Sequence, residues 1–476
     1  MSTVLGLLVG TLLAQGVPVG APDSVRTLTF DEFYRVVATH HPVVRQARLL
    51  EEIADAEVRQ ARGAFDPTVT AEWDRKTLAG TRYFDYAEAS LKIPTPLGAD
   101  IKLGYERSDG RYINPDRRTP SGGLLSAGIS VPIGQRMVTD ERRNALAQAR
   151  ALRDYAAGER TAQVNKFLLG AAKLYGEWYE AHRRARLTEG AVALADFRLR
   201  AVRSRVLQGD AAAIDTIEAR LELQRRTVQQ LEAAVDFRNA SIVIEGLLWD
   251  RDGRPAPLDS GAIPSLDGLR ARPVDSTLVA SWRAIAEQRH PAVRKAVAKV
   301  RQSESEQRFV RQQRWVPAAE LTVAPIGDAS DGAGALQDAF GALGDAKLGG
   351  TVKFPLLALK ERGKYSAVLG KLEQQRLELA LARRDIGIAI QVAANDLAAL
   401  DSLLRLQRLA VLQSRLLRDG EQRKFESGES TLFLVNTRER AVIEEEVNEI
   451  ALEAKYAAAR AALAVAIGEP ARLPDR

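Results

Sequence analysis

His41-Pro42-Val43-Val44-Arg45-Gln46-Ala47 returns, 249 positions later, as His290-Pro291-Ala292-Val293-Arg294-Lys295-Ala296. Each copy is followed by a charged helical run, a β-like patch and a pair of very long helical segments. A duplication on this scale sets the architecture, because one structural unit must be used twice. A second pair of landmarks, Gln208-Gly209-Asp210 and Ser427-Gly428-Glu429, lies 219 positions apart. The first half therefore carries 30 additional residues between its landmarks. They are expected between Pro94 and Gly123, where β-like, turn-rich sequence has no counterpart in the second half.

Around this repeat, hydrophobic period assigns the elements. A helix starts at Thr29-Phe30-Asp31-Glu32 and runs to about Gly63, interrupted where Pro42 disfavours helix in the residue before it. After Phe65-Asp66-Pro67 the period becomes two. Val69, Ala71 and Trp73 alternate with Thr68, Thr70 and Glu72. The same holds for Ala87, Ala89, Leu91 and Ile93, for Ile101, Leu103 and Tyr105, and for Leu125, Ala127, Ile129 and Val131. These are strands with one apolar and one polar face. Such a pattern suits a half-buried soluble sheet, and it equally suits a membrane barrel with lipid outside and water inside.

From about Thr139 the helical period holds for some 70 residues, with Val164, Leu168, Ala171, Tyr175 and Trp178 on one face. Past Gly209, residues Ile214, Ile217, Leu221, Val228, Leu231, Val235 and Ile242 follow heptad positions, so coiled-coil packing is expected. At about 1.5 Å per residue the outgoing helix is on the order of 100 Å long. Residues 249–274 form a Gly/Pro/Asp-rich linker. The second cycle brings a helix over Thr277–Arg314 broken at His290-Pro291, short strands at Ala319–Pro325 and Gly350–Pro355, and a surface loop at Gly327–Gly349. A second long helix follows over Glu361–Glu426. The return helix, Ser430–Ile467, sets Ile443, Val447, Ile450, Ala454, Ala457 and Ala461 on one face and stops at Gly468-Glu469-Pro470. The fold class is mainly α with a β part. Its organisation is a signal peptide at 1–21, repeats at 22–248 and 275–470 around the linker, and a tail at 471–476.

Composition excludes several function classes. The 68 basic and 62 acidic residues leave a net charge of +6, interspersed along the chain, which gives little support to nucleic-acid binding. Cysteine is absent, so disulfides, thiolate metal sites and a catalytic thiol are ruled out. Residues 1–22 are uncharged, with an apolar run at Val4–Ala14 and a small-x-small site at Val19-Gly20-Ala21, as in a secretory signal peptide. No later run of about 18 uncharged apolar residues appears, so membrane entry would have to use a β-barrel. The histidines, His40, His41, His182 and His290, lack metalloprotease spacing. Met137 is the only methionine besides Met1, against a methionine relay for soft metals. No nucleophile elbow or phosphate loop is present. Asp109-Gly110 and Asp331-Gly332 read as turns before calcium ligands. No enzyme, cofactor or metal is expected.

The order of elements, twice through, resembles the TolC-type outer-membrane efflux factor family. The resemblance covers nearly all of the chain after the leader. It is carried by the duplicated His-Pro-x-Val-Arg-x-Ala segment and by the strand-to-helix junctions Val131-Pro132-Ile133 and Phe354-Pro355-Leu356. Its most specific element is the run Phe425-Glu426-Ser427-Gly428-Glu429-Ser430-Thr431-Leu432-Phe433-Leu434-Val435-Asn436. The resemblance implies a homotrimer whose long antiparallel coiled-coil helices form an α-barrel across the periplasm. Four strands per chain would join in a twelve-stranded barrel in outer-membrane lipid. It implies a passive, gated duct of a tripartite pump, docked to a periplasmic adaptor (membrane fusion) protein and an inner-membrane pump.

By the same resemblance, Gly209, Asp210, Gly428 and Ser430 lie at hairpin tips that contact the adaptor, where glycine suits a turn with positive φ. Asp215 matches an aperture acid, with Glu218 one turn further on. In the second half the matching positions are Leu434 and Thr437, so the periplasmic aperture is expected to rest on Asp215, Glu218, Arg423, Glu426 and Glu429. Read structurally, the same charges are a solvated helix end. A secreted coiled-coil protein without a pore is the competing reading. It accounts for the heptads and poorly for the duplicated two-faced strands.

Overall fold

A computed structural model describes residues 26–259, 261–267, 275–332, 334 and 345–469. The expected signal peptide, the tail at 471–476 and part of the linker lie outside the described residues. In chain order the elements are β1 (Thr27–Thr29), α1 (Phe30–His40), α2 (Pro42–Arg62), β2 (Thr68–Leu78), β3 (Thr81–Pro94), β4 (Asp100–Asp109), β5 (Leu124–Gly134), α3 (Gln135–Val138), α4 (Glu141–Gln208) and α5 (Ala213–Leu247). They continue as β6 (Ile263–Ser265), α6 (Ser276–Arg289), α7 (Pro291–Trp315), β7 (Ala318–Asp328), β8 (Ala346–Lys353), α8 (Leu359–Glu426) and α9 (Leu432–Ile467).

The repeated His-Pro is a helix start used twice. His41 and His290 are both extended, with ψ 138°, and each is followed by proline at the first helical position. Each imidazole Nδ1 accepts the backbone N–H two residues on, from Val43 and from Ala292, both at 3.2 Å. Proline has no N–H to leave orphaned there, and the side chain satisfies the next free donor. An accepting Nδ1 requires that this nitrogen carry no proton, and burial holds both histidines below the usual imidazole range.

Two cores stitch the helices together. In the first repeat Phe30, Phe33 and Val37 of α1 pack on Leu168, Tyr175 and Trp178 of α4 and Ile244 of α5. This confirms the predicted face of α4, except that Val164 is only half-buried. Fully burying each large apolar side chain contributes about 1.5–3 kcal/mol. The Tyr175 hydroxyl lies 2.5 Å from the Leu28 carbonyl and accepts the Ser265 N–H at 3.0 Å. It thereby ties α4 to the parallel pair β1–β6, which periodicity does not reveal. In the second repeat Val293 of α7 packs with Ile386, Ile390, Leu397 and Leu404 of α8 and Tyr456 and Leu463 of α9.

The heptad face of α5 does not pack where the coiled-coil reading puts it. Ile214, Ile217, Leu221, Val228, Leu231, Val235 and Ile242 are all exposed, and Ala219, Ala233 and Ile244 are buried instead. Helix α8 likewise exposes Leu377, Leu381, Ile388 and Val392. Within α8 lies an 18-residue window apolar enough by composition to cross a membrane, only 22% buried in the chain. Asp396 and Asp401 stand among the apolar residues of α8, so the sequence reading that no run of about 18 uncharged apolar residues appears holds there too.

All remaining strands form one antiparallel sheet in the order β2-β3-β4-β5-β7-β8. It holds six strands where the resemblance implies four from each chain. The first repeat supplies four and the second two, and β4 with the loop after it occupies the segment where the additional residues were expected. Register gathers apolar residues on one face, where Val69 stands opposite Leu91, Leu91 opposite Leu103, Ile101 opposite Ile129, Val131 opposite Leu321 and Val323 opposite Leu348. The same face turns charged further out, where Arg75 stands opposite Asp85 and Asp85 opposite Asp109. The opposite face carries Glu88, Lys92, Lys102, Glu106, Ser130, Glu320 and Lys347. Lys347 of β8 reaches Glu106 of β4, three strands away, at 2.7 Å, so the sheet curls toward its polar face. Among the described residues both outer strands, β2 and β8, have one unpaired edge.

Candidate functional site

The far ends of the two helical hairpins are built by the same local chemistry. Helix α4 ends at Gly209 (φ +82°), and the Gly209 N–H donates to the Val206 carbonyl at 3.1 Å and the Asp210 N–H to the Arg205 carbonyl at 2.8 Å. Helix α8 ends one residue before Ser427, and the next residue, Gly428, also has φ +82°. Its N–H donates to the Phe425 carbonyl at 3.2 Å, and that of Glu429 to the Lys424 carbonyl at 2.8 Å. Both are Schellman closures, which need a left-handed residue that glycine adopts without strain. The chain then re-enters helix at Ala213 and at Leu432, the latter capped by the Thr431 hydroxyl. Gly209, Asp210 and Gly428 are exposed, and Ser430 donates its hydroxyl to Glu421.

The two tips are held side by side. Leu199 and Val202 of α4, Ala219 of α5 and Leu432 of α9 form a small buried cluster, with Val206, Leu223 and Phe425 against it. The Arg205 guanidinium lies 5.2 Å from the Phe425 ring centroid. Further along the hairpins from the tips is a polar network between them. Arg198 of α4 donates to Asn436 Oδ1 at 2.8 Å and to Glu439 of α9. The Arg198 and Glu439 side chains are only 14% and 8% exposed. Glu222 of α5 is 2.9 Å from both Arg226 and Arg440. Each of these links except Glu222–Arg226 joins the first hairpin to the second.

The five expected aperture residues are not brought together within one chain. Glu218 accepts a long 3.5 Å hydrogen bond from Asn436, and Glu426 accepts one from Gln422 on its own helix at 2.9 Å. The half-buried Asp215 and the exposed Arg423 and Glu429 make no side-chain ion pair among the described residues. Arg198, Glu222, Glu439 and Arg440, the charges that do join the hairpins, were not singled out from sequence. The available sign was that Glu439 lies on the same α9 face as Val435 and Val442. Among the described residues no group of three or more His, Asp and Glu is placed to hold a metal ion.

Solved structures share this arrangement over almost the whole chain. The open state of the Neisseria gonorrhoeae MtrE outer membrane channel superposes with a TM-score of 0.66 at 15% identity, over 96% of this chain and 95% of that one. The Vibrio cholerae outer membrane protein VceC gives 0.64 at 13% identity, over 93% and 96%. The chain has the fold of the TolC-like outer-membrane efflux channels. The Campylobacter jejuni CmeC outer membrane channel agrees, at 0.63 and 12% identity, over 94% of this chain and 87% of that one. No protein-family profile matches the sequence. No curated protein matches it. The resemblance read from the order of elements is thus borne out by three-dimensional arrangement, at identities of 12–15%.

Proposed function

We propose that three copies of this chain assemble into a passive outer-membrane efflux duct that extends into the periplasm. The observation that carries the reading is the two-faced sheet with two free edges. Its apolar face is open: Val69, Trp73, Leu348 and Val352 are 64–77% exposed. An open edge cannot face lipid, because every backbone donor and acceptor in hydrocarbon needs a partner. Closure by further copies satisfies the edges, puts the apolar face against lipid and turns the polar, concave face to a water-filled lumen. The exposed heptad face of α5 and the exposed leucines of α8 call for the same neighbours, as apolar stripes of this size on long helices need a partner.

The duct performs no bond chemistry. It supplies a hydrated path across a low-dielectric layer, and specificity for cargo lies with its partners. The twin Schellman turns at Gly209 and Gly428 present an exposed tip suited to a periplasmic adaptor, which joins the duct to an inner-membrane pump. Asp215 and Glu218 from three chains, with Arg423, Glu426 and Glu429 nearby, form the periplasmic aperture. The unpaired Asp215 carboxylate supports this role, since it is free to meet a symmetry mate or a passing cation.

Imaging of protein extracted from membranes tests the reading. Hollow threefold particles longer than about 100 Å, the span of a 68-residue helix, are expected. Solid rods, or compact particles recovered without detergent, would return the chain to the structural coiled-coil class.

A further inference from the structure

We infer that the barrel closed by three of these chains has eighteen strands, six from each, with β8 of one copy paired to β2 of the next. The inference rests on the trimeric duct proposed above and concerns how its membrane part closes.

All six strands are built for the membrane. They contain 8 to 14 residues, bracketing the ~9–11 that a tilted strand needs to cross. An apolar face runs through every one of them over the part nearer the helices, from Val69, Ala71 and Trp73 on β2 to Leu348 and Val352 on β8, and gives way further out to Arg75, Asp85, Arg107 and Asp109. A hairpin lying outside the bilayer has no use for such a face. Polarity also fits. Six strands in strict alternation leave β2 and β8 antiparallel to each other, so the free edge of one copy meets that of the next in antiparallel fashion.

The stagger of the sheet fits as well. Partners followed straight across from Thr68 lead through Lys92 and Lys102 to Gly128, which faces Ala324, and so to Lys347. That residue lies six positions before Lys353, where β8 ends. Six residues of stagger over six strands, at about 3.4 Å per residue and 4.8 Å between strands, tilt the strands by about 35°. Membrane barrels tilt by roughly 35–45°. A level rim then places Thr68 of one copy opposite Lys353 of its neighbour.

This register sets Val69 against Val352 and Trp73 against Leu348 on the lipid side. On the lumen side Thr70 meets Thr351 and Asp74 meets Lys347. A slip of one residue would turn every apolar side chain inward, so only even slips compete. Charge agrees over the facing stretch: the polar face of β2 carries Glu72 and Asp74 before Lys76, and that of β8 carries Lys347 and Lys353. Because barrel diameter grows roughly linearly with strand number, the barrel is about one and a half times as wide as a twelve-stranded one.

The chain has no cysteine, so introduced pairs report cleanly. The test uses the full-length protein in outer membranes carrying Thr70→Cys with Thr351→Cys, beside pairs in which the second cysteine replaces Gly349 or Lys353. Facing positions in such a pair lie about 4.5–5.5 Å apart at Cα, within disulfide reach. Oxidation is expected to give reducible covalent dimers and trimers for 70/351, and none for either single variant. Strands counted by cryo-electron microscopy in the unsubstituted particle should number eighteen. Threefold particles with twelve strands, or trimers in which none of the three pairs cross-links, would overturn the inference and leave the duct standing. A monomeric particle would remove the duct itself, and the eighteen-stranded closure with it.

Discussion

Arg198→Met removes the cation that joins the two hairpins most closely. The guanidinium donates to Asn436 and Glu439 across the hairpin boundary, and the carboxylate it leaves behind is 8% exposed. Removing one member of a buried pair costs about 3–5 kcal/mol, because the other charge is left without compensation. Residual exposure of the pair points to the lower end, about 3 kcal/mol per chain. If opening of the duct moves one hairpin relative to the other, this loss falls on the closed state alone. A coupling of about 3 kcal/mol is worth on the order of 150-fold in the ratio of open to closed channels. Even a third of it, with water replacing the lost partner, is worth about fivefold. Single-channel recording in planar bilayers reads this ratio directly. Glu439→Leu should open the channel to a comparable extent. The double variant should return toward the closed state, since an apolar pair leaves no orphan charge. Singles with unchanged open probability, or a double equal to the sum of its singles, would refute the lock.

Three further outcomes are expected. Asp215→Ala combined with Glu218→Ala should raise closed-state conductance several-fold and abolish block by multivalent cations; conductance and block like those of the parent would remove these acids from the aperture. Ile217→Asp with Leu231→Asp, at positions 69% and 63% exposed in the single chain, should lose roughly 2 kcal/mol of apolar burial at each substituted side chain and leave monomers in detergent; a persistent trimer on native gels would place the interface elsewhere. Burial, foremost, holds His41, His182 and His290 below the ordinary imidazole value. The unfolded chain therefore takes up protons first, and stability should be full above about pH 7 and decline as pH falls through about 6.5 toward the folded values. His290→Asn, which retains an N-cap acceptor, should flatten that decline in thermal melts taken from pH 7.5 to 5, and an unaltered slope would count against His290.

Much of the site's scaffold was legible because it depends on neighbours in sequence. Gly209 and Gly428 could be placed at hairpin tips by the resemblance, and glycine suits those turns because it adopts φ near +82° without strain. The duplicated His-Pro marked helix starts for the same reason. The polar lock was not legible. Arg198 and Glu439 lie 241 residues apart, and nothing local separates them from the other charges on these helices. The heptad of α5 was found correctly as a stripe, but its period could not say which helix would cover it. The chain leaves that stripe open.

What the sequence determines by itself is the duplication, the succession of helices and two-faced strands, and the turns that join them. These follow from periods of 3.6 and 2 and from the backbone preferences of glycine and proline, which act over a few residues. Only the tertiary structure decided that six strands share one sheet, that its edges lie free on β2 and β8, and which charges cross between hairpins. Strand partners, stagger and ion pairs depend on segments hundreds of residues apart meeting in space. A local pattern states which face of an element must be covered, and the assembled fold alone states by what.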